Sequence, residues 1–145
     1  MVKQLSVFIE NKPGRLAEVT GYLADADINI HALCIADTTD FGILRLIVDD
    51  AEKAKSAIKK RGLTVKTTDV AAIALEHKPG SLSRVLKTLE RIGVSIEYMY
   101  AFTNRSNKYG AMVVLSLADQ ETAVAKMKEC GIRDLDEAEL GELYI

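Results

Sequence analysis

The chain has 145 residues, of which 48% are hydrophobic and 28% charged, and 19 Lys and Arg stand against 21 Asp and Glu for a net charge of −2. This is a globular composition with enough apolar residues for a packed core, in one ordinary domain or two small ones. The nearly balanced, scattered charge excludes the basic stripe of a nucleic-acid binder, and no apolar run approaches the roughly 20 residues of a membrane span.

The opening "MVKQLSVFIEN" lacks the long apolar stretch of a signal peptide and reads as a strand. Two cysteines, Cys34 and Cys130, lie far apart in apolar patterns, as expected in a reducing compartment, and the cytoplasm is the expected location. Leu5, Val7 and Ile9 alternate with polar residues and predict a strand near 4–10. Asn11-Lys12-Pro13-Gly14 interrupts it, and Leu16, Val19 and Leu23 then recur at helical spacing. "INIHALCIA" and "FGILRLIVD" predict strands near 28–37 and 42–49, joined by a hairpin turn at "DTTD". Asp50 is placed to cap a helix that Gly62 ends, and a fourth strand is expected at 64–68.

The pattern then repeats. His77-Lys78-Pro79-Gly80 aligns on Asn11-Lys12-Pro13-Gly14 at an offset of 77 − 11 = 66, which also carries "LADADINI" onto "LERIGVSI". Phe41-Gly42 aligns on Tyr109-Gly110 at 109 − 41 = 68, and Asp50 and Gly62 on Asp119 and Gly131 at 69. Drift confined to turns argues for a duplication, with the longer second hairpin at "TNRSNK". The second copy predicts strands near 70–76, 94–103, 110–117 and 137–144, a helix carrying Leu82, Val85, Leu86 and Leu89, and another capped by Asp119. The expected fold is α+β: two tandem ferredoxin-like βαββαβ units, residues 1–69 and 70–145, each an antiparallel sheet with helices on one face. Leu33 and Ile35 are assigned to the open face of the first sheet. A surface of that kind, with two sheet edges, predicts a homodimer.

The two Pro-Gly joints are the candidate sites. A helix beginning at such a pair leaves N–H groups free at Gly14, Arg15 and Leu16, beside the positive end of the helix dipole, so backbone alone can hold a carboxylate. Gly14 admits close approach, and Asn11 and Asn29 each offer a donor and an acceptor. The matching residues of the second joint are His77, Pro79, Gly80, Ser81, Leu82 and Ser95. A plain turn would also use Pro and Gly here; duplication in one frame favours ligand binding, more for the first joint than the second. His77 reads equally as a ligand contact or a turn residue.

"IENKPGRL" with "DINI", and more loosely "LEHKPGSL" with "GVSI", resemble the ACT domain, a regulatory amino-acid-binding module, in two tandem copies covering essentially the whole chain. The resemblance implies that Asn11, Pro13, Gly14 and Asn29 contact a free amino acid at an interface between ACT units. It implies the same of His77, Pro79, Gly80 and Ser95, with two polar contacts altered. It further implies a stand-alone allosteric sensor that controls a partner enzyme of amino-acid metabolism or a transporter. The alternative is a non-catalytic regulatory subunit acting mainly through protein contacts.

His31 and Cys34 are three apart on a strand, so their side chains diverge, which speaks against a metal pair. No triad, Cys-His pair or paired carboxylate emerges, and no enzyme activity, cofactor or metal is expected. Ala32, Cys34 and Ala36 match Tyr98, Tyr100 and Phe102; core compensation and an aromatic wall for a pocket are both open, the first favoured.

Overall fold

A computed structural model describes residues 1–37, 40–103 and 109–143. The expected hairpin tips at "DTTD" and "TNRSNK" fall at 38–39 and 104–108, outside the described residues, as does Tyr144 at the end of the last expected strand. In chain order the elements are β1 (Val2–Glu10), α1 (Arg15–Asp25), β2 (Ile30–Asp37), β3 (Phe41–Val48), α2 (Ala51–Lys60), β4 (Val65–Glu76), α3 (Ser81–Arg91), β5 (Ile96–Thr103), β6 (Gly110–Leu117), α4 (Gln120–Glu129) and α5 (Glu137–Glu142). The fold is α+β with antiparallel strand pairs. Two compact units are resolved, Lys3–Thr68, and Met1–Val2 with Asp69–Ile145. No helix among the described residues is long and apolar enough to cross a membrane.

In the unit of residues 3–68 the strand order is β2-β3-β1-β4. Leu5 pairs with Leu46 and Val7 with Leu44, and the Phe8 N–H donates to the Thr64 carbonyl at 3.0 Å where β4 begins. Because strand side chains alternate, one face collects Leu5, Val7, Ile9, Leu44, Leu46 and Val48. These pack with Val19 and Leu23 of α1 and Ala54 and Ile58 of α2. Burying each leucine fully is worth about 1.5–3 kcal/mol, which is why both helices lie on this face.

The unit containing residues 69–145 repeats the plan with β4-β6-β5. Ala71, Ile73, Val113, Leu115 and Leu117 pack under Leu89 of α3 and Ala123 and Met127 of α4. Glu10 pairs with Phe41 and Glu76 with Gly110, so the third strands match at 110 − 41 = 69. The expected alignment of Phe41 on Tyr109 is therefore one residue out. The offset of 69 between Asp50 and Asp119 already applies to the whole preceding strand.

Three expected elements are corrected. The separate strands at 64–68 and 70–76 are one strand, β4, since neither Gly nor Pro interrupts 65–76. The strand expected at 137–144 is the helix α5. Asp136 accepts from the Glu139 N–H at 2.8 Å, and Glu139 accepts from the Asp136 N–H at 3.0 Å. That capping box favours a helical turn, and Asp, Glu and Ala are weak strand formers. Beside β4, an isolated bridge of Ile73 with Asp134 stands in place of the expected fourth strand among the described residues. It is held by the Leu135 N–H on the Ala72 carbonyl at 2.8 Å and the Ala72 N–H on the Asp134 carboxylate at 2.9 Å.

Third, Asp50 caps α2 by accepting from the Lys53 N–H at 3.0 Å, whereas Asp119 makes no side-chain cap. Its backbone is left-handed, φ 50°, and the side chain of Gln120 reaches back instead to the Leu117 N–H at 2.9 Å. Gly62 and Gly131 end α2 and α4 at φ 79° and 78°, as their positions predict.

A β-bulge interrupts β2 between Ile30 and Ala32. Leu33 then pairs with Leu46 and Ile35 with Leu44, so both lie on the helix-bearing side of the sheet. Their assignment to the open face is wrong, because the bulge adds a residue and inverts the alternation. They remain 46% and 43% exposed, on an edge strand that the helices leave uncovered. An equivalent bulge lies between Ile96 and Tyr98. Ala32, Cys34 and Ala36, and separately Tyr98, Tyr100 and Phe102, consequently face away from the helices of their own units.

Candidate functional site

Lys12-Pro13-Gly14-Arg15 is a type II turn. Gly14 has φ 86° and ψ −11°, and the Arg15 N–H donates to the Lys12 carbonyl at 3.3 Å. Proline sets the first central residue of such a turn, and the second needs positive φ, which glycine adopts freely. Lys78-Pro79-Gly80-Ser81 repeats the turn, with Gly80 at φ 88° and the Ser81 N–H on the Lys78 carbonyl at 3.3 Å. Each turn is preceded by a tight bend, Lys12 N–H to the Glu10 carbonyl and Lys78 N–H to the Glu76 carbonyl, both at 2.9 Å.

The free donors are thus fewer than expected. Arg15 N–H closes the turn and is not available to a ligand. The Gly14 and Leu16 N–H groups make no backbone bond among the described residues, nor do those of Gly80 and Leu82. A Cβ at Gly14 would meet nothing within 4 Å, so glycine is required there for its dihedral rather than for close packing. Leu16 and Leu82 are each 37% exposed in the first turns of their helices.

The charges at the two joints differ. The Arg15 guanidinium lies 2.9 Å from Glu18 and 3.7 Å from Glu10, and Lys12 lies 2.7 Å from Glu10. Lys12 first, then Arg15, holds the Glu10 carboxyl below its ordinary range. In the second joint Ser81 replaces Arg15, and its buried hydroxyl accepts from Arg84 at 3.3 Å. Lys78 pairs with Glu76 and lowers its pKa, with a smaller contribution from Arg84. Sequence reasoning missed Glu10, Glu76 and Arg84; the three-residue spacing of Ser81 and Arg84 on a helix was the available signal.

The exposed Asn11 joins the turn to the sheet, its N–H donating to the Asp40 carbonyl at 3.0 Å. His77 packs against Gly110, where an added Cβ would lie 3.0 Å from its own. Asn29 and Ser95 are not beside these joints. Glu10 pairs with Phe41 at one end of β3, and Ile30 pairs with Val48 at the other. Seven strand steps separate the two ends, about 23 Å. Asn29 is fixed there by its N–H to Asp49 at 3.1 Å and by the Asp49 N–H to its carbonyl at 3.2 Å. Ser95, whose carbonyl accepts from the Ala118 N–H at 3.0 Å, borders a separate groove with Leu86, Leu89, Gly93 and Ile96. Within one unit, therefore, Asn11 and Asn29 do not converge, and neither do His77 and Ser95.

Among the described residues, no group of three or more His, Cys, Asp or Glu side chains could hold a metal ion. Cys34 pairs across the strands with Arg45 and faces away from the helix-packed core. Burial raises its thiol pKa, opposed by Arg45.

A family model described as an ACT domain pair matches residues 1–137. A protein of known structure from Bacteroides thetaiotaomicron is 45% identical, with a TM-score of 0.88 over 96% of this chain and 94% of that one. The regulatory subunit of aspartate kinase from Thermus thermophilus, in its ligand-free form, is 18% identical, with a TM-score of 0.63 over 88% and 91%. The corresponding subunit from Thermus flavus is 16% identical, with a TM-score of 0.58 over 88% and 90%. No curated protein matches the chain.

Proposed function

Because the chain belongs to the ACT domain pair family, we propose that it is a non-catalytic regulatory protein that binds a free amino acid at its Pro-Gly joints. The observation that carries this reading is the repetition of one Lys-Pro-Gly turn at the start of α1 and α3, each with N–H groups open at a positive helix end. A ligand carboxylate meets the Gly14 and Leu16 N–H groups, and Asn11 meets its ammonium. Arg15 contributes charge rather than its backbone donor. The second joint, with His77, Pro79, Gly80, Ser81 and Leu82, binds more weakly because it lacks the asparagine.

Asn29 lies at the far end of its own sheet, so it reaches a ligand at Asn11 only from a second copy of the chain. A homodimer supplies that copy, and the uncovered Leu33 and Ile35 on β2 favour such an assembly. Ligand binding then changes assembly, and through it a partner enzyme of amino-acid metabolism. The solved regulatory subunits of aspartate kinase have the same fold over 88% of this chain, which accords with a regulatory role.

A thermal-shift screen of the twenty amino acids on the purified chain tests the reading. A ligand that binds only the folded state adds about 2.7 kcal/mol at a hundred times its dissociation constant. One amino acid, or a close pair, should raise the melting temperature; twenty flat curves would reject amino-acid binding.

A further inference from the structure

Within the unit of residues 3–68, a groove of about 400 Å3 runs between the end of α1 and the outer face of α2, lined by Tyr22, Asp25, Lys53, Ser56, Lys60 and Arg61. We propose that it is a second ligand site, which binds a chain of linked phosphates such as the triphosphate of a nucleotide. It is separate from the Pro-Gly joints and does not depend on the amino-acid reading.

Charge is concentrated here. The chain as a whole is at −2, yet residues 51–61 hold Lys53, Lys55, Lys59, Lys60 and Arg61 against Glu52 alone. Lys53, Ser56 and Lys60 recur at spacings of three and four, which turns them to the same face of α2. Lys53 and Lys60 are seven residues apart, about 10.5 Å along the helix axis, so a row of phosphates can meet both with the Ser56 hydroxyl between them.

Two features set the groove apart from an ordinary solvated helix face. Lys59 and Lys60 stand in the last turn, where cations complement the helix dipole, but Lys53 stands in the first turn, where the dipole opposes a cation. Neither the Lys53 nor the Lys60 ammonium has an ion-pair or hydrogen-bond partner among the described residues. Arg61 is held in position, its guanidinium 4.7 Å above the Tyr22 ring and 3.7 Å from Asp25. That contact offsets the one acidic side chain in the groove and leaves guanidinium donors for a phosphate.

The test is calorimetric titration of the full chain with sodium triphosphate and with ATP at low ionic strength, where exposed charges are least screened. Saturable binding is expected, weakened about tenfold in the Lys53→Gln, Lys60→Gln double variant, since two charge-assisted contacts are lost from an exposed site. Lys55→Gln with Lys59→Gln removes the same charge from the same helix outside the groove, and should change affinity less than about twofold. Tighter binding of ATP than of triphosphate would assign the site to a nucleotide; equal binding would assign it to the phosphate chain, and both support the proposal. No saturable binding of either, or equal losses in the two double variants, would overturn it.

Discussion

Gly14 and Gly80 hold the same backbone conformation, φ 86° and ψ −11° against φ 88° and ψ −13°, at the same joint of two sequence repeats. The left-handed region costs an L side chain roughly 1–2 kcal/mol, so Gly14→Ala should destabilise the protein by about that amount. No steric term adds to it, because an added Cβ meets nothing within 4 Å. Gly80→Ala should cost the same, its nearest neighbour being Arg84 at 3.9 Å. Urea titration of both variants measures this. An unchanged midpoint would mean that the turn relaxes into another form.

Asp50 and Asp119 share a sequence position in the repeat but not a role. Asp50→Ala removes a cap and should cost about 1 kcal/mol. Asp119→Gly should instead stabilise by up to about 1 kcal/mol, since φ 50° suits glycine and no cap bond is lost. Thermal melts of the two variants should move in opposite directions.

Burial lowers the pKa of His31 below its ordinary 6.5, with Asp49 opposing. Below pH 6.5 the unfolded chain takes up a proton that the folded chain resists, so stability falls as the pH falls from 7.5 to 5.5. The pKa values of Glu10 and Glu76 are also lowered, by Lys12 and Lys78 favouring the charged carboxylates, and their contributions are lost only below about 4.5. His31→Gln should therefore flatten the slope between pH 7.5 and 5.5, read by denaturant titration at each pH. An unaltered slope would place its source in another group.

Asn11 and Asn29 test the amino-acid site together. Asn11→Ala removes a contact to a charged ligand group worth roughly 1.5–3 kcal/mol, or about ten- to a hundredfold in affinity. His77→Ala should cost less. If Asn29 is supplied by a second copy, Asn29→Ala alone should also weaken binding, and a refolded mixture of the two variants should regain some tight sites. Calorimetric titration of each variant and of the mixture, with the amino acid found in the screen, decides between these cases. Equal affinity in wild type and Asn11→Ala would reduce the first joint to a turn.

Much of the molecule was legible from neighbouring residues alone. Pro13-Gly14 and Pro79-Gly80 set local dihedrals, so the type II turns needed no tertiary help. Leu16, Val19 and Leu23 set a helix by period, and Asp50 with Gly62 set the ends of another. Asp136 and Glu139 form the capping box of α5, a local signal that runs against the strand the repeat predicts.

Other features depended on strand register and on what lies alongside each residue. The bulge between Ile30 and Ala32 moved Leu33 and Ile35 across the sheet, and no local pattern marks where an extra residue enters a ladder. Residues 65–76 run as one strand because neither Gly nor Pro interrupts it at the repeat boundary, and its second half, Ala71 to Glu76, pairs with β6. Asn11 and Asn29 are 18 residues apart in sequence and a full strand length apart in space. The Pro-Gly joints and the helices α1 to α4 follow from dihedral preference and period, and the family resemblance rests on those same local residues, whereas α5 was hidden by the repeat. Which side chains share a face, an end or a site was settled by strand pairing, whose energy comes from residues far apart in the chain.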